Sequence, residues 1–359
     1  MFIIAEAGTS HSGSLEKGFT LIEKAAESGA DCVKFQVVFA DEILHPLCGR
    51  VKLPGGNTGL YEKFKELERD EEFFLKLKQE TEKCGIKFLA TPFGIKSARL
   101  LKNIGVSMLK IASPELNHYP LLEEVTGYKL PLIISGGVSM LSDIEKAVAI
   151  TGRDITFLHC VTSYPAPEED YNLALIKTLS AVFGFKTGVS DHSADPLLVP
   201  LVSMALGAVT LEKHITLDKS GGGLDDATSL NPHDFKKMSG EIRQYQKSCK
   251  IRPDRKVLLA ELQRRFGKEK VRAVTGDGVK KLASSEKDNY GRTNRSLMAL
   301  RTIMPGEKLK EMDFAPLRSE KNLTPGLSPD FAELITGKTV RNKIKNGEGI
   351  RFDSFFMEN

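Results

Sequence analysis

No apolar run in these 359 residues approaches the ~18 that a membrane-spanning helix needs, so no helical anchor is expected. The N-terminus, Met1-Phe2-Ile3-Ile4-Ala5-Glu6, meets an acidic residue too early for a signal peptide. Cysteine is scarce. The five residues Cys32, Cys48, Cys84, Cys160 and Cys249 are odd in number and none are spaced as CxxC, which fits free thiols in a reducing compartment. A cytoplasmic location is therefore expected. An excess of one charge is also lacking: 51 basic and 47 acidic residues are interspersed, giving no footprint for nucleic acid or a membrane surface. The locally basic residues Lys338, Arg341, Lys343 and Lys345 are explained by a solvated strand face. Finally, the first polar turn, Glu6-Ala7-Gly8-Thr9-Ser10-His11-Ser12-Gly13, is no GxGxxG, which counts against an open dinucleotide-binding sheet.

What is present is a regular alternation. The hydrophobic content of 41% can bury a substantial core. Short apolar strands are predicted at residues 2–5, 32–38, 87–91, 108–112, 130–135, 155–161, 186–190 and 208–212. Amphipathic helices are predicted at 15–28, 73–84, 96–104, 141–150, 171–183, 196–206 and from 232 to about 247. Eight βα units in this length predict a closed (β/α)8 TIM barrel over residues 1–250, with a doubly wound open sheet as the alternative.

In such a barrel the active-site residues leave the C-terminal strand ends. Glu6 ends the first strand, Lys34 and Gln36 lie on the second, Thr91 ends the third, and Lys110 and Ser113 belong to the fourth. Thr162 and Tyr164 follow the sixth strand. The clusters Gly188-Val189-Ser190-Asp191-His192-Ser193 and Thr210-Leu211-Glu212-Lys213-His214-Ile215-Thr216 close the seventh and eighth. His192 and His214 would then leave neighbouring strands at one rim, where two imidazoles can hold a divalent cation. Charged side chains inside apolar strands require partners, so Lys34 and Lys110 demand anions. These could be internal carboxylates (Glu6, Glu115 or Glu212), or a phosphate and a carboxylate of a substrate, with the hydroxyls of Thr91, Ser113 and Ser190 assisting.

After residue 250 the pattern changes. Residues 251–290 are charged and irregular, with one helical stretch near 258–266, and read as a linker. The tail then nearly repeats itself. Ile303-Met304-Pro305-Gly306-Glu307-Lys308-Leu309 with Asp313-Phe314 is echoed by Ile344-Lys345-Asn346-Gly347-Glu348-Gly349-Ile350 with Asp353-Ser354-Phe355. Each copy reads as strand, tight Gly turn and strand, so residues 291–359 are expected to form a small β-rich domain with pseudo-symmetry.

Seven motifs in order carry a resemblance: Ala5-Glu6-Ala7-Gly8, Val33-Lys34-Phe35-Gln36, Ala90-Thr91-Pro92-Phe93, Lys110-Ile111-Ala112-Ser113-Pro114-Glu115, Tyr164-Pro165-Ala166-Pro167, and the two histidine clusters. The chain resembles, end to end, the N-acetylneuraminate (sialic acid) synthase family, which includes pseudaminic and legionaminic acid synthases and a spore-coat polysaccharide branch. The tail resembles that family's antifreeze-like (SAF) domain, a β-clip fold.

The resemblance implies a metal-dependent condensation of phosphoenolpyruvate with an N-acetylated amino hexose. It implies His192 and His214 as ligands of manganese, with magnesium or cobalt as alternatives. It implies Lys34, Thr91, Lys110, Ser113 and Ser190 as phosphoenolpyruvate contacts, and Gln36, Tyr164, Glu212 and Asp225 facing the sugar. Glu6 or Glu212 would activate the water that adds during the reaction. It further implies a homodimer in which each C-terminal domain covers the other chain's barrel mouth.

Three departures from the family pattern fall near the substrates. Ser10 and Ser12 flank His11 where members carry Asn-His-Asn-Gly; Thr162 stands where many have an Asn that contacts phosphoenolpyruvate; and Arg318-Ser319-Glu320-Lys321-Asn322-Leu323 lacks the Arg-Pro-Gly run, with Thr293 and Asn294 replacing an aromatic before Arg295. In the Arg-Pro-Gly run's place, Arg318 or Lys321 is expected to reach the sugar. The alternatives are a phosphoenolpyruvate aldol enzyme for a phosphorylated sugar, which would want a further Arg/Lys cluster, and a non-catalytic carbohydrate- or ice-binding protein, which would have no use for buried lysines beside paired histidines.

Overall fold

The computed structural model describes residues 1–53, 56–251 and 255–355, without the side chains of 51–58 and 248–251. The side chain of Cys249 and residues Arg252 and Asp254 lie outside the described residues. Eight parallel strands carry the first two-thirds of the chain: β1 Phe2–Gly8, β2 Cys32–Val37, β3 Lys87–Pro92, β4 Leu109–Ile111, β5 Leu132–Ser135, β6 Ile155–Cys160, β7 Lys186–Asp191 and β8 Thr210–His214. Their hydrogen-bonded order is β3-β2-β1-β8-β7-β6-β5-β4. Because β3 and β4 also pack side by side, the sheet is a nearly closed barrel, as expected.

The helices α1 Leu15–Glu27, α2 Glu71–Lys83, α3 Ile95–Asn103, α4 Tyr119–Thr126, α5 Leu141–Thr151, α6 Leu175–Phe183, α7 Leu198–Leu206 and α8 Pro232–Ile251 follow the strands in turn. Their ends follow local chemistry: Ser14 and Asp70 cap α1 and α2 by accepting from the Lys17 and Phe73 amides. The expected start of α6 at residue 171 is corrected: the helix begins at Leu175 after a turn at 173–174, and Tyr171 is buried. Helix α4 escaped the sequence reading although Pro120 in its first turn is a helix-start signal. No helix among the described residues is long and apolar enough to cross a membrane.

Strand residues alternate between the helix-facing core and the barrel interior. Ile4, Cys32, Leu89, Ile133 and Leu158, from five different strands, form one interior cluster that plugs the barrel. Two residues further along their strands lie Glu6, Lys34, Thr91, Ser135 and Cys160, all buried. The same period of two that seals the base therefore makes the mouth polar.

Two further segments pack on the barrel, one at its rim and one on its outer wall. After β2, the helix Leu60–Leu67 brings Leu60, Phe64 and Leu67 into a small cluster with Ile43 and Phe93. Within the stretch read as a linker, residues fold as α9 Arg255–Phe266 and α10 Lys268–Thr275, whose Leu258, Leu262, Val271 and Val274 are buried in the main core.

The tail forms the expected small β unit, but with less regular strand than predicted. Among the described residues of the tail, only β9 Arg295–Ala299 and β10 Phe314–Arg318 make an antiparallel sheet. The near-repeats pair with each other: Ile303 and Ile344 exchange both backbone bonds, at 2.8 and 3.0 Å. Glu307 accepts from the Met304 amide as Glu348 does from that of Lys345. Gly306 donates to Val340 and Gly347 to Ala299, the relation a pseudo-twofold requires. This unit sits on the mouth of its own barrel.

Candidate active site

The mouth contains a cavity of about 350 Å³. At its floor, four charges from four strands meet. Lys34 Nζ lies 3.0 Å from Glu6 and 3.6 Å from Glu212, and donates to Thr91 Oγ1 at 3.0 Å. Lys110 Nζ lies 3.8 Å from Glu212 and donates to Ser135 Oγ at 2.6 Å. The lysines are thus paired with Glu6 and Glu212 inside the cavity, whereas Glu115 serves arginines elsewhere. Ser190 Oγ donates to Glu212 at 2.8 Å, and Gln36 Nε2 to Glu6 at 2.7 Å.

The environment separates the two carboxylates. Burial raises Glu6, opposed incompletely by Lys34, and Glu212 adds to the rise. Burial also works against Glu212, but Lys110 and Lys34 overcome it and hold its carboxyl down to about 2. Burial lowers the Lys110 ammonium to about 8, although Glu212 opposes the shift. The second oxygen of each carboxylate, Glu6 Oε2 and Glu212 Oε2, is buried and faces the Lys34 ammonium, at 3.0 and 3.6 Å. The floor is thus a network of buried charges that balance one another.

Above this floor stand the histidines, with ring centroids 5.4 Å apart. His192 Nδ1 lies 2.8 Å from the Val161 carbonyl, an arrangement that puts the proton on Nδ1 and leaves Nε2 toward the cavity. Its Nε2 is 3.3 Å from the Tyr164 hydroxyl, and the Tyr164 ring stacks on it at 4.2 Å. The strand face behind fixes its backbone: Tyr171 accepts from the His192 amide and donates to Asp191, which pairs with Lys213 at 2.7 Å. Burial holds His214 well below the ordinary imidazole value, a neutral ring with a free lone pair. Asp225 lies 3.9 Å from its Nδ1. No cluster of three or more His, Cys, Asp or Glu side chains suited to a metal occurs among the described residues. The fit for a cation therefore rests on two imidazoles, with the Asp225 carboxylate beside one of them and positions left over for small ligands.

The cavity is lined by Glu6, Lys34, Gln36, Lys110, Ser113, Thr162, Tyr164, Ser190, His192, Glu212, His214 and Asp225. Of the residues singled out from sequence, Thr91 alone is not on that wall; it stands behind Lys34. Asp225 is no turn device: its neighbour Asp226 ties the loop, accepting from Ser10 Oγ and the Gly223 amide. His11 is a core residue, wedged against Phe35 and Phe73.

The outer wall was not foreseen in full. Leu60, Phe64, Phe93 and Leu224 supply apolar surface, and Arg318, Glu320 and Lys321 reach in from the C-terminal unit. Glu320 is buried with φ +50°, a left-handed backbone uncommon outside glycine. Arg295, fully buried, pairs with Glu115 and donates to the carbonyls of Glu42, Ile43, Phe93 and Pro316. Arg318 takes the other Glu115 oxygen and lies 5.4 Å over the Phe93 ring. One arginine thus ties the loops after β2, β3 and β4 to the C-terminal sheet.

Comparison with known proteins places this geometry. The NeuB family matches residues 21–252 and the SAF domain residues 294–355. The chain is 33% identical, over 97% of its length and 98% of the relative's, to the N,N'-diacetyllegionaminic acid synthase of Campylobacter jejuni. It is 34% identical to the spore coat polysaccharide biosynthesis protein SpsE of Bacillus subtilis, over all of this chain and 94% of that one. The crystal structure of SpsE superposes with a TM-score of 0.80, covering 100% of this chain and 96% of that one. The N-acetylneuraminic acid (sialic acid) synthetase of Leptospira borgpetersenii matches at 33% identity and TM-score 0.60, over 80% of this chain and 89% of that one. With matches that span both the barrel and the C-terminal unit, the chain belongs to the NeuB family and carries a SAF domain.

Proposed function

We propose that the protein condenses phosphoenolpyruvate with the open-chain aldehyde of an N-acetylated amino hexose, N-acetylmannosamine or a diacetamido-trideoxyhexose, releasing phosphate and a nine-carbon 2-keto acid. The observation that carries this reading is the floor of the mouth: two buried lysines, two carboxylates of opposed proton affinity and two imidazoles converge there. The names of its relatives, synthases of legionaminic and sialic acids, support it.

Lys34 and Lys110, with Ser113, Thr162 and Ser190, would bind the phosphate and carboxylate of phosphoenolpyruvate, strongly because water is excluded from the barrel. His192 and His214 would hold a divalent cation, manganese first and magnesium or cobalt as alternatives, which when bound polarises the aldehyde oxygen as a Lewis acid. Gln36, Tyr164 and Asp225 orient the sugar. The enol carbon forms a C–C bond to the aldehyde carbon, whose oxygen takes a proton. Water then adds at the phosphoenolpyruvate C2, and phosphate leaves with its bridging oxygen. Glu6, whose affinity for a proton is raised, is the carboxylate suited to take a proton from that water, while Glu212 stays ionised and offsets the lysines.

We also propose a homodimer. An exchange of C-terminal domains would repeat between chains the Arg295–Glu115 contact made here within one.

The test is phosphate release from phosphoenolpyruvate with manganese and a panel of N-acetylmannosamine, its 6-phosphate, two diacetamido-trideoxyhexoses and arabinose 5-phosphate. Release with one unphosphorylated amino sugar, stopped by a chelator, is expected. Release only with a phosphosugar would move the protein to the rival aldol class, and no release from folded, metal-loaded protein would leave a binding role.

A further inference from the structure

The segment joining α10 to the C-terminal sheet reaches back to two loops of the mouth. Glu286 is buried, and its Oε1 accepts from the Val138 amide at 2.7 Å and the Thr162 amide at 2.6 Å. Val138 follows β5 and Thr162 follows β6, so one carboxylate oxygen bridges two βα loops. The carbonyls of the same two residues are held as well. Asn294 Nδ2 donates to Val138 at 3.1 Å, and Asn289 Nδ2 to Thr162 at 3.4 Å.

Val138 needs holding. It is β-branched, fully buried and has φ +40°, a conformation such residues avoid unless the surroundings impose it. Its neighbour Gly137 donates to Ser113 Oγ at 2.9 Å. A Cβ at Gly137 would stand 2.2 Å from Thr162 Oγ1 and 3.1 Å from Ser113 Oγ. Ser113 and Thr162 line the cavity with Gly137 packed against both, and the register of that wall is set by the peptide that Glu286 and Asn294 grip.

We infer that Glu286 is a positioning residue for the phosphoenolpyruvate end of the site, acting through Val138–Gly137–Ser113 and through Thr162. It touches no reacting atom. Which ligand feels the loss rests on the function proposed above; the grip on the two loops does not.

The experiment uses the full chain and compares Glu286→Ala with Glu286→Gln, whose carbonyl can still accept from both amides. Glu286→Ala is expected to raise KM for phosphoenolpyruvate about tenfold while KM for the acceptor and kcat stay within about threefold, and Glu286→Gln to restore most of the loss. Hydrogen exchange should show protection lost in the peptides spanning Val138 and Thr162 of Glu286→Ala, with β1 and β8 unchanged. Unchanged protection, a loss spread over the whole barrel, or equal loss in both variants would overturn the inference. So would lost protection with an unaltered KM for phosphoenolpyruvate. If the wild-type chain releases no phosphate with any acceptor, the synthase reading fails, and the exchange pattern alone then decides the role of Glu286.

Discussion

Lys110 gives the site a titration of its own. Burial favours its neutral form and brings it to about 8, so above that value the free enzyme progressively loses one of the two cations that the proposed reaction offers to phosphoenolpyruvate. Because the anion needs the ammonium form, kcat/KM for phosphoenolpyruvate should fall about tenfold per pH unit once pH passes about 8, a profile that steady-state assays across pH 6–10 would read. Lys110→Ala should raise KM for phosphoenolpyruvate by roughly 10- to 100-fold, the value of a charge-assisted hydrogen bond. His214→Ala should abolish metal-dependent turnover and leave the circular dichroism spectrum unchanged; retained activity in the presence of chelator would remove His214 from the metal assignment. Most of these residues were legible in the sequence because a Lys or His in an apolar strand has no ordinary explanation. Glu286 and Glu320 were not, since each sits in a charged stretch that reads as solvated, and only packing with distant loops buries them.

The elements fell out of the sequence unevenly, for a reason visible in their composition. Strands buried on both faces leave uninterrupted apolar runs, so all eight were placed within a few residues of their observed ends. Of the two helices after the barrel, α9 was legible as the helical stretch near 258–266, whereas α10 was passed over because Val271 and Val274 are scattered among charges, and it is the barrel wall that selects them. The turn after β5 leaves little room. Gly137→Ala should cost about 1–3 kcal/mol by overpacking against Thr162 and Ser113 and should weaken phosphoenolpyruvate binding with it, as urea unfolding and titration would show. The clamp between barrel and C-terminal sheet has its own pH window. Burial alone would raise the Glu115 carboxyl, but Arg295 and Arg318 outweigh it and hold it below its ordinary 4.5. A carboxyl depressed in the folded state contributes stability that is complete above that ordinary value and is lost as pH falls through the folded one. Glu115→Gln at neutral pH leaves two buried guanidinium groups without their counter-ion and should cost about 3–5 kcal/mol in denaturant unfolding.

At the scale of the molecule, the mouth is finished by residues far along the chain from those that form its floor. β8 pairs with β1, so the barrel ladder can be complete as soon as residue 214 is available. Glu286, Arg295 and Arg318 come later in sequence, and they fasten the loops after β2 to β6. A ribosome delivers the chain in that same order. A nascent protein can therefore possess a sealed barrel, with its lysines and histidines already in place, while its reaction chamber still lacks a roof. A chain whose translation stops short of residue 286 should remain soluble enough to fold its strands yet be left with loose rim loops, so competence arrives only with the last fifth of the message.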